Sequence, residues 1–107
     1  MDHLSVTTQV TDGMSVVDVS GDVDLVSGPV LTDAIKEAIG GDGVIRVVVD
    51  LSRTAFLDSS GIAVLLMGRR VAENNGVDFQ VRAAHGMVKQ VLELTGVWHQ
   101  LSGESQP

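Results

Sequence analysis

The chain has 107 residues and a formal net charge of −7 at pH 7, from 14 acidic and 7 basic residues. This length suits one domain, which we expect to span residues 1–107 with a disordered tail over about 102–107. An acidic surface with few basic residues repels phosphate backbones, so direct nucleic-acid binding is disfavoured.

The chain contains no cysteine, which excludes disulfides and thiolate metal sites. Its three histidines, His3, His85 and His99, have no ligand spacing. We therefore expect no metal and no other cofactor. No secretory signal is visible after Met1, and the longest apolar run, 62–67, is too short to span a bilayer. These observations predict a cytoplasmic protein without membrane contact.

The beginning of the chain predicts a β-hairpin. Leu4–Val10 and Met14–Ser20 are rich in Val and Thr, and they flank the turn residues 11–13. We expect Gly21 to close the second strand, and residues 22–25 to form a short extended connection.

The rest of the chain alternates helices with strands. Apolar residues at helical spacing predict a first helix, with Ser27 as its N-cap and Gly40-Gly41 as its end. The elements expected after it are a buried strand over 44–51, a helix over about 58–74, a half-buried strand over 77–82, a third helix ending at Gly96 and a last short strand over 97–101. This order predicts an α/β fold: a mixed sheet of four to five strands with an N-terminal hairpin and about three packed helices.

The stretch that points to function is Asp58-Ser59-Ser60-Gly61, which follows an expected loop over 52–57 and opens the second helix. Such residues have a purely structural explanation, because their side-chain oxygens cap helix amides for about 1 kcal/mol. They also follow the carboxyl end of a buried strand, a common ligand position in α/β sheets. The residues alone leave both interpretations open.

Two segments resemble the signatures of STAS domains. Gly21-Asp22-Val23-Asp24 is similar to the first signature, with Val23 where Leu is usual, and residues 50–66 resemble the second, which carries a phosphorylatable serine. The similarity runs from the hairpin to about Leu94. In the anti-sigma factor antagonists of this family, an unphosphorylated stand-alone STAS domain binds an anti-sigma factor that is also a serine kinase and so releases a sigma factor. Phosphorylation breaks the complex, and a metal-dependent serine phosphatase resets it.

The resemblance implies Ser59 as the phosphorylation site. It also implies a partner-binding set, in which Asp24 is favoured over Asp22: Asp22, Asp24, Asp58, Ser59, Ser60, Gly61 and Ile62. No catalytic residue is expected, because an enzyme built on Ser59 would need a base and an oxyanion site that no motif supplies.

An alternative stays open, in which the chain is a non-phosphorylated STAS subunit of a stress-signalling scaffold or of a lipid transporter. We expect a monomer or weak dimer, because the predicted elements leave no exposed apolar stripe unassigned.

Overall fold

The computed structural model describes residues 3–102, in which four strands form one mixed sheet in the order β1-β2-β3-β4. The strands are β1 (Ser5–Thr11), β2 (Met14–Val23), β3 (Arg46–Leu57) and β4 (Asp78–Arg82); the helices are α1 (Gly28–Ile39), α2 (Ser59–Asn74), α3 (Gly86–Leu94) and α4 (Trp98–Ser102). β1 and β2 pair antiparallel, whereas the pairs β2–β3 and β3–β4 are parallel. The α/β class is confirmed, with four helices instead of about three.

The predicted hairpin is confirmed. Asp12 and Gly13 have φ of 51° and 80°, so both central residues of the two-residue turn are left-handed. This is the combination that a type I′ turn requires, and its twist matches that of the flanking strands.

β2 and β3 are both longer than expected. Gly21 does not close β2, because Asp22 and Val23 pair with Phe56 and Leu57 of β3. The expected loop over 52–57 is therefore strand. Two register shifts interrupt this part of the ladder, and as a result the buried residues of β3 recur at intervals of three, at Leu51, Thr54 and Leu57. An interval of three hides the strand from a search for alternation.

The core lies between one face of the sheet and the crossover helices. Alternate residues of β2 are buried there, whereas in β3 Val47, Val48 and Val49 are all buried and only Val47 and Val49 belong to this core. The fully buried side chains include Val17, Val19 and Val23 of β2, Val47 and Val49 of β3, Leu31 and Ile35 of α1, and Leu65 of α2. Because α1 and α2 follow β2 and β3, this packing fixes the position of both helix N-termini at the carboxyl ends of the strands.

The expected last strand over 97–101 is wrong, since this segment is the short helix α4. Trp98 and Leu101 are both buried and lie three residues apart, which suits a helix face. Gln80 of β4 donates a hydrogen bond from Nε2 to the carbonyl oxygen of Ser102, at 2.8 Å. Ser102 is therefore buried at the end of α4, and only residues 103–107 of the predicted tail lie outside the described range.

Candidate functional site

The two signature segments lie side by side at one end of the sheet. Val23 pairs with Leu57, and the amide of Asp58 donates to the carbonyl oxygen of Val23 at 3.3 Å. Asp24 and Asp58 are thus the first residues after two paired strand ends. The loop that leads into α1 and the first turn of α2 together form one surface.

Asp58 is the N-cap of α2. Its Oδ1 accepts hydrogen bonds from the backbone amides of Ser60, at 2.9 Å, and Gly61, at 3.2 Å. The serines therefore do not cap the helix. Ser59, the first residue of α2, is exposed, and its hydroxyl makes no hydrogen bond with any other residue among 3–102. This hydroxyl is held on a rigid element and is free to react or to bind.

Ser60 differs from Ser59 although it is adjacent in sequence. Ser60 is half-buried and lines a groove between α1 and α2, whereas Ser59 points to solvent. An enzyme that modifies a hydroxyl needs access to it from solvent. The structure thus distinguishes the two serines, which the sequence could not do.

Gly61 and Ile62 lie behind the serines. A Cβ on Gly61 would come within 2.8 Å of Cγ of Leu57 and 3.1 Å of Cγ1 of Val23. Gly61 is buried, and it allows α2 to pack closely on the ends of β2 and β3; its predicted contact with a partner stays a prediction. Ile62 is partly buried and packs against the hydrophobic core.

Asp24 organises the loop between β2 and α1. Its Oδ1 accepts hydrogen bonds from the amides of Val26 (3.0 Å) and Ser27 (2.9 Å) and is 3.0 Å from the Ser27 hydroxyl. The Ser27 amide and hydroxyl are the main causes that lower the pKa of Asp24 below its ordinary value of 3.8, so it is ionised at neutral pH. Ser27 lies at the N-cap as predicted, but its side chain caps no helix amide; its hydroxyl lies 3.0 Å from the carbonyl oxygen of Asp22.

Asp22 has a lesser part in this loop. It lies within β2, paired with Phe56, and only its backbone carbonyl contacts Ser27. The structure brings the carboxylate of Asp24, but not that of Asp22, into the loop's hydrogen bonds.

An apolar surface beside Ser59 was not predicted. Leu25 is 77% exposed and Val26 is 87% exposed. Next to them, α1 and α2 enclose a shallow groove of about 320 Å³, lined by Leu25, Gly28, Pro29, Thr32, Ser60, Ala63 and Val64. We expected no exposed apolar stripe to be left unassigned, and the exposed pair Leu25 and Val26 beside this groove corrects that expectation. The signal in the sequence was Leu25-Val26, two apolar residues in a connection that belongs to no periodic element.

The histidines and carboxylates of the described residues do not gather into a metal site. Within residues 3–102, no group of three or more His, Asp or Glu side chains is placed to hold a metal ion. His85 lies at the N-terminus of α3, where its Nε2 is 2.9 Å from the carbonyl oxygen of Ser52. Over the same residues, no helix has the length and apolarity needed to cross a membrane.

Comparison with known proteins identifies the family. A sequence model described as "Mlab, STAS domain" matches residues 6–102. The chain belongs to the STAS domain family. This STAS domain is 29% identical over 97 residues to the anti-sigma-F factor antagonist RsfB of Mycobacterium tuberculosis, which covers 90% of this chain and 77% of RsfB.

Solved structures agree with this assignment. The crystal structure of an anti-sigma factor antagonist from Mycobacterium paratuberculosis matches the STAS domain with a TM-score of 0.82 and 30% identity, over 92% of this chain and 83% of the other. The antagonist SpoIIAA shares the fold at 21% identity in two forms. Its unphosphorylated form has a TM-score of 0.66, over 86% of this chain and 83% of SpoIIAA. Its phosphorylated form, from Bacillus, has a TM-score of 0.67, over 89% and 85%.

Proposed function

We propose that this STAS domain is a cytoplasmic anti-sigma factor antagonist that binds an anti-sigma factor serine kinase, and that phosphorylation of Ser59 ends the binding. The observation that carries the proposal is the exposed Ser59 hydroxyl, free of hydrogen bonds within the described residues and held at the start of a capped helix beside an apolar groove. The relatives named as anti-sigma factor antagonists support it.

The surface around Ser59 suits a protein partner. Leu25 and Val26 expose apolar side chains next to the groove, and burial of apolar area is the main source of binding free energy between proteins. Asp24 holds the loop that displays both residues through hydrogen bonds to Val26 and Ser27. A loop ordered before binding loses less conformational entropy when the complex forms.

Phosphorylation of Ser59 should act on the interface and leave the fold almost unchanged. The phosphate adds about 1.5 to 2 negative charges. A helix N-terminus favours an anion by roughly 0.3 to 1 kcal/mol, but Asp58 already accepts from the amides of Ser60 and Gly61 and repels a second anion. These effects approximately cancel.

At the interface the added charge has no such compensation. A charge that the complex buries beside apolar side chains, or sets against a like charge, costs several kcal/mol, and each 1.4 kcal/mol is a tenfold loss of affinity. We therefore expect phosphorylation to weaken kinase binding about a thousandfold. A metal-dependent serine phosphatase would restore the binding form, so that the chain is a substrate of both enzymes and has no catalytic activity of its own.

The proposal is tested by capture of partners from the lysate of the native host on two baits, Ser59→Ala and Ser59→Glu, identified by mass spectrometry. We expect the Ala bait to retain an ATP-binding anti-sigma kinase and the Glu bait to lose it. Ser60→Ala and Ser60→Glu are matched controls for the position of the charge. Equal retention of transporter or scaffold subunits by both Ser59 baits would contradict the proposal and support the non-phosphorylated alternative.

Phosphopeptide mapping after incubation with the captured kinase tests the site itself. We expect phosphate on Ser59, because Ser60 faces the groove. Phosphate on Ser60 with Ser59 unmodified would overturn the assignment, while leaving partner binding intact as a hypothesis.

A further inference from the structure

The two edge strands of the sheet, β1 and β4, differ in how far they are protected from pairing with another chain. The edge formed by β4 is short, carries Asp78 and Arg82 at its ends, and is packed against α4, where Gln80 donates to Ser102. Charged ends, short length and a covering helix are the devices by which proteins protect a sheet edge from pairing with another chain.

The edge formed by β1 is longer and uncharged, although α1 also contacts this strand. Ser5–Thr11 contains no charged residue, no proline and no glycine, although the whole chain carries a net charge of −7. Its pairing with β2 is regular over all seven residues, without a bulge. Within residues 3–102 no strand pairs with its outer side. A regular, uncharged strand edge is a template for a further strand.

The geometry of the hairpin determines which residues of β1 direct their backbone N–H and C=O groups outward. Thr11 and Met14 flank the two-residue turn and form a hydrogen-bonded pair, and such pairs recur at every second residue. The odd-numbered residues of β1 thus bond to β2. Val6, Thr8 and Val10 direct their N–H and C=O groups outward.

The same strand is complementary to itself. Antiparallel pairing of two copies about a two-fold axis at Thr8 places Thr8 opposite its own copy and Val6 opposite Val10. On the other sheet face, Thr7 lies opposite Gln9. Val10, which is 59% exposed, would be covered by a Val6 side chain, and no like charges would meet. A closed two-fold interface requires this self-complementarity.

We propose that the outer edge of β1 pairs with β1 of a second copy of this chain, to give one continuous sheet across a two-fold dimer. About six backbone hydrogen bonds form, two for each of the three pairs. One strand pair buries little area, so the dimer is weak, with a Kd between about 10 µM and 1 mM. The interface needs no partner protein and no phosphate, and its test is independent of the proposed function.

Disulfide trapping tests the register. The chain has no cysteine, so a single substitution introduces its only thiol. In a Thr8→Cys dimer the two opposed Cα atoms lie about 5.5 Å apart, which is within disulfide range. In a Gln9→Cys dimer the two cysteines are two residues out of register, and their Cα atoms lie more than about 7 Å apart, which is beyond that range. We expect Thr8→Cys to form linked dimers at least about tenfold faster under mild oxidant. Equal rates for both variants would overturn the proposed pairing.

Sedimentation equilibrium of the unlinked protein gives the second test. Thr8→Lys places two like charges opposite each other at the axis, whereas Gln9→Lys makes the same change in net charge and faces Thr7 of the second copy. We expect Thr8→Lys to weaken dimerisation at least about fivefold and Gln9→Lys to leave it nearly unchanged. A wild-type protein that stays monomeric up to about 1 mM would refute the dimer.

Discussion

Gly61→Ala is the substitution for which the structure gives the clearest expectation. Gly61 lies in the first turn of α2, where its Cα faces the paired ends of β2 and β3. The added methyl group would lie 2.8 Å from Cγ and 2.9 Å from Cδ1 of Leu57, and 3.1 Å from Cγ1 of Val23. These distances are shorter than van der Waals contact between carbon atoms. Either Leu57 or the start of α2 must move.

The cost follows from what surrounds the methyl group. Leu57 and Val23 are 1% and 0% exposed, so neither can swing into solvent. Overpacking of this kind costs about 1–3 kcal/mol, while replacement of Gly by Ala in a helix returns at most about 1 kcal/mol. We therefore expect a net loss of about 1–2 kcal/mol in the free energy of unfolding. For a domain of this size that loss corresponds to a fall in Tm of about 5–10 °C.

Urea unfolding followed by circular dichroism measures this loss, with Gly28→Ala as the matched control. Gly28 is likewise buried in the first turn of a helix, but a Cβ there would meet only Cγ2 of Val64, at an ordinary 3.6 Å. We expect the control to be as stable as wild type or more stable by up to about 1 kcal/mol. A Gly61→Ala protein as stable as the control would refute the tight packing that we infer behind Ser59.

Three further substitutions test the site and its support. Asp58→Ala removes the N-cap of α2 and should lower the unfolding free energy by about 1 kcal/mol in urea titrations. Asp24→Asn should lower the free energy of unfolding at neutral pH. Because Ser27 lowers the pKa of Asp24 in the folded protein, the difference in free energy between wild type and variant is full above pH 3.8. It disappears as the pH falls through the lowered pKa. Acid-unfolding curves that stayed apart below that range would contradict this role. Thr54→Val removes a buried hydrogen bond to the carbonyl oxygen of Val19, at 2.9 Å, and should cost about 1–2 kcal/mol; an unchanged urea midpoint would argue against it.

The sequence predicts those parts of the fold in which one short-range rule operates alone. Asp12-Gly13 supplies two residues that tolerate positive φ, which is enough to define the hairpin turn. Asp58 has the residue type of an N-cap, and the apolar run 62–67 of the helix begins four residues after it. In both cases the local chemistry and the tertiary structure favour the same outcome.

The sequence fails where a tertiary contact overrides the local pattern. Residues 52–57 have the composition of a loop, but pairing with the end of β2 and the buried hydroxyl of Thr54 make them strand. No short-range pattern contains this information, because Val19 is 35 residues from Thr54. Residues 97–101 are β-rich in part, yet burial of Trp98 and Leu101 against the core selects a helix.

The surface that we propose for partner binding is harder to predict than the fold for a related reason. Exposure of Leu25 and Val26 opposes the hydrophobic effect, so a method that assigns apolar residues to the core places them wrongly. Their exposure persists because Asp24 fixes the loop by hydrogen bonds to Val26 and Ser27. Exposed apolar side chains on an ordered loop are typical of an interface.

Asp58 caps α2, and the neighbouring Ser59 is the proposed phosphorylation site, so two different residues have these two roles. Asp58 satisfies the amides of Ser60 and Gly61, so the hydroxyl of Ser59 has no part in holding α2. If a serine served as both cap and phosphorylation site, each phosphorylation would also replace the cap and alter the stability of the helix. With the tasks separated, the charge on Ser59 can change by about two units while the cap stays in place. Under the function proposed for Ser59, phosphorylation would then lower the affinity for a partner about a thousandfold while the fold stays constant.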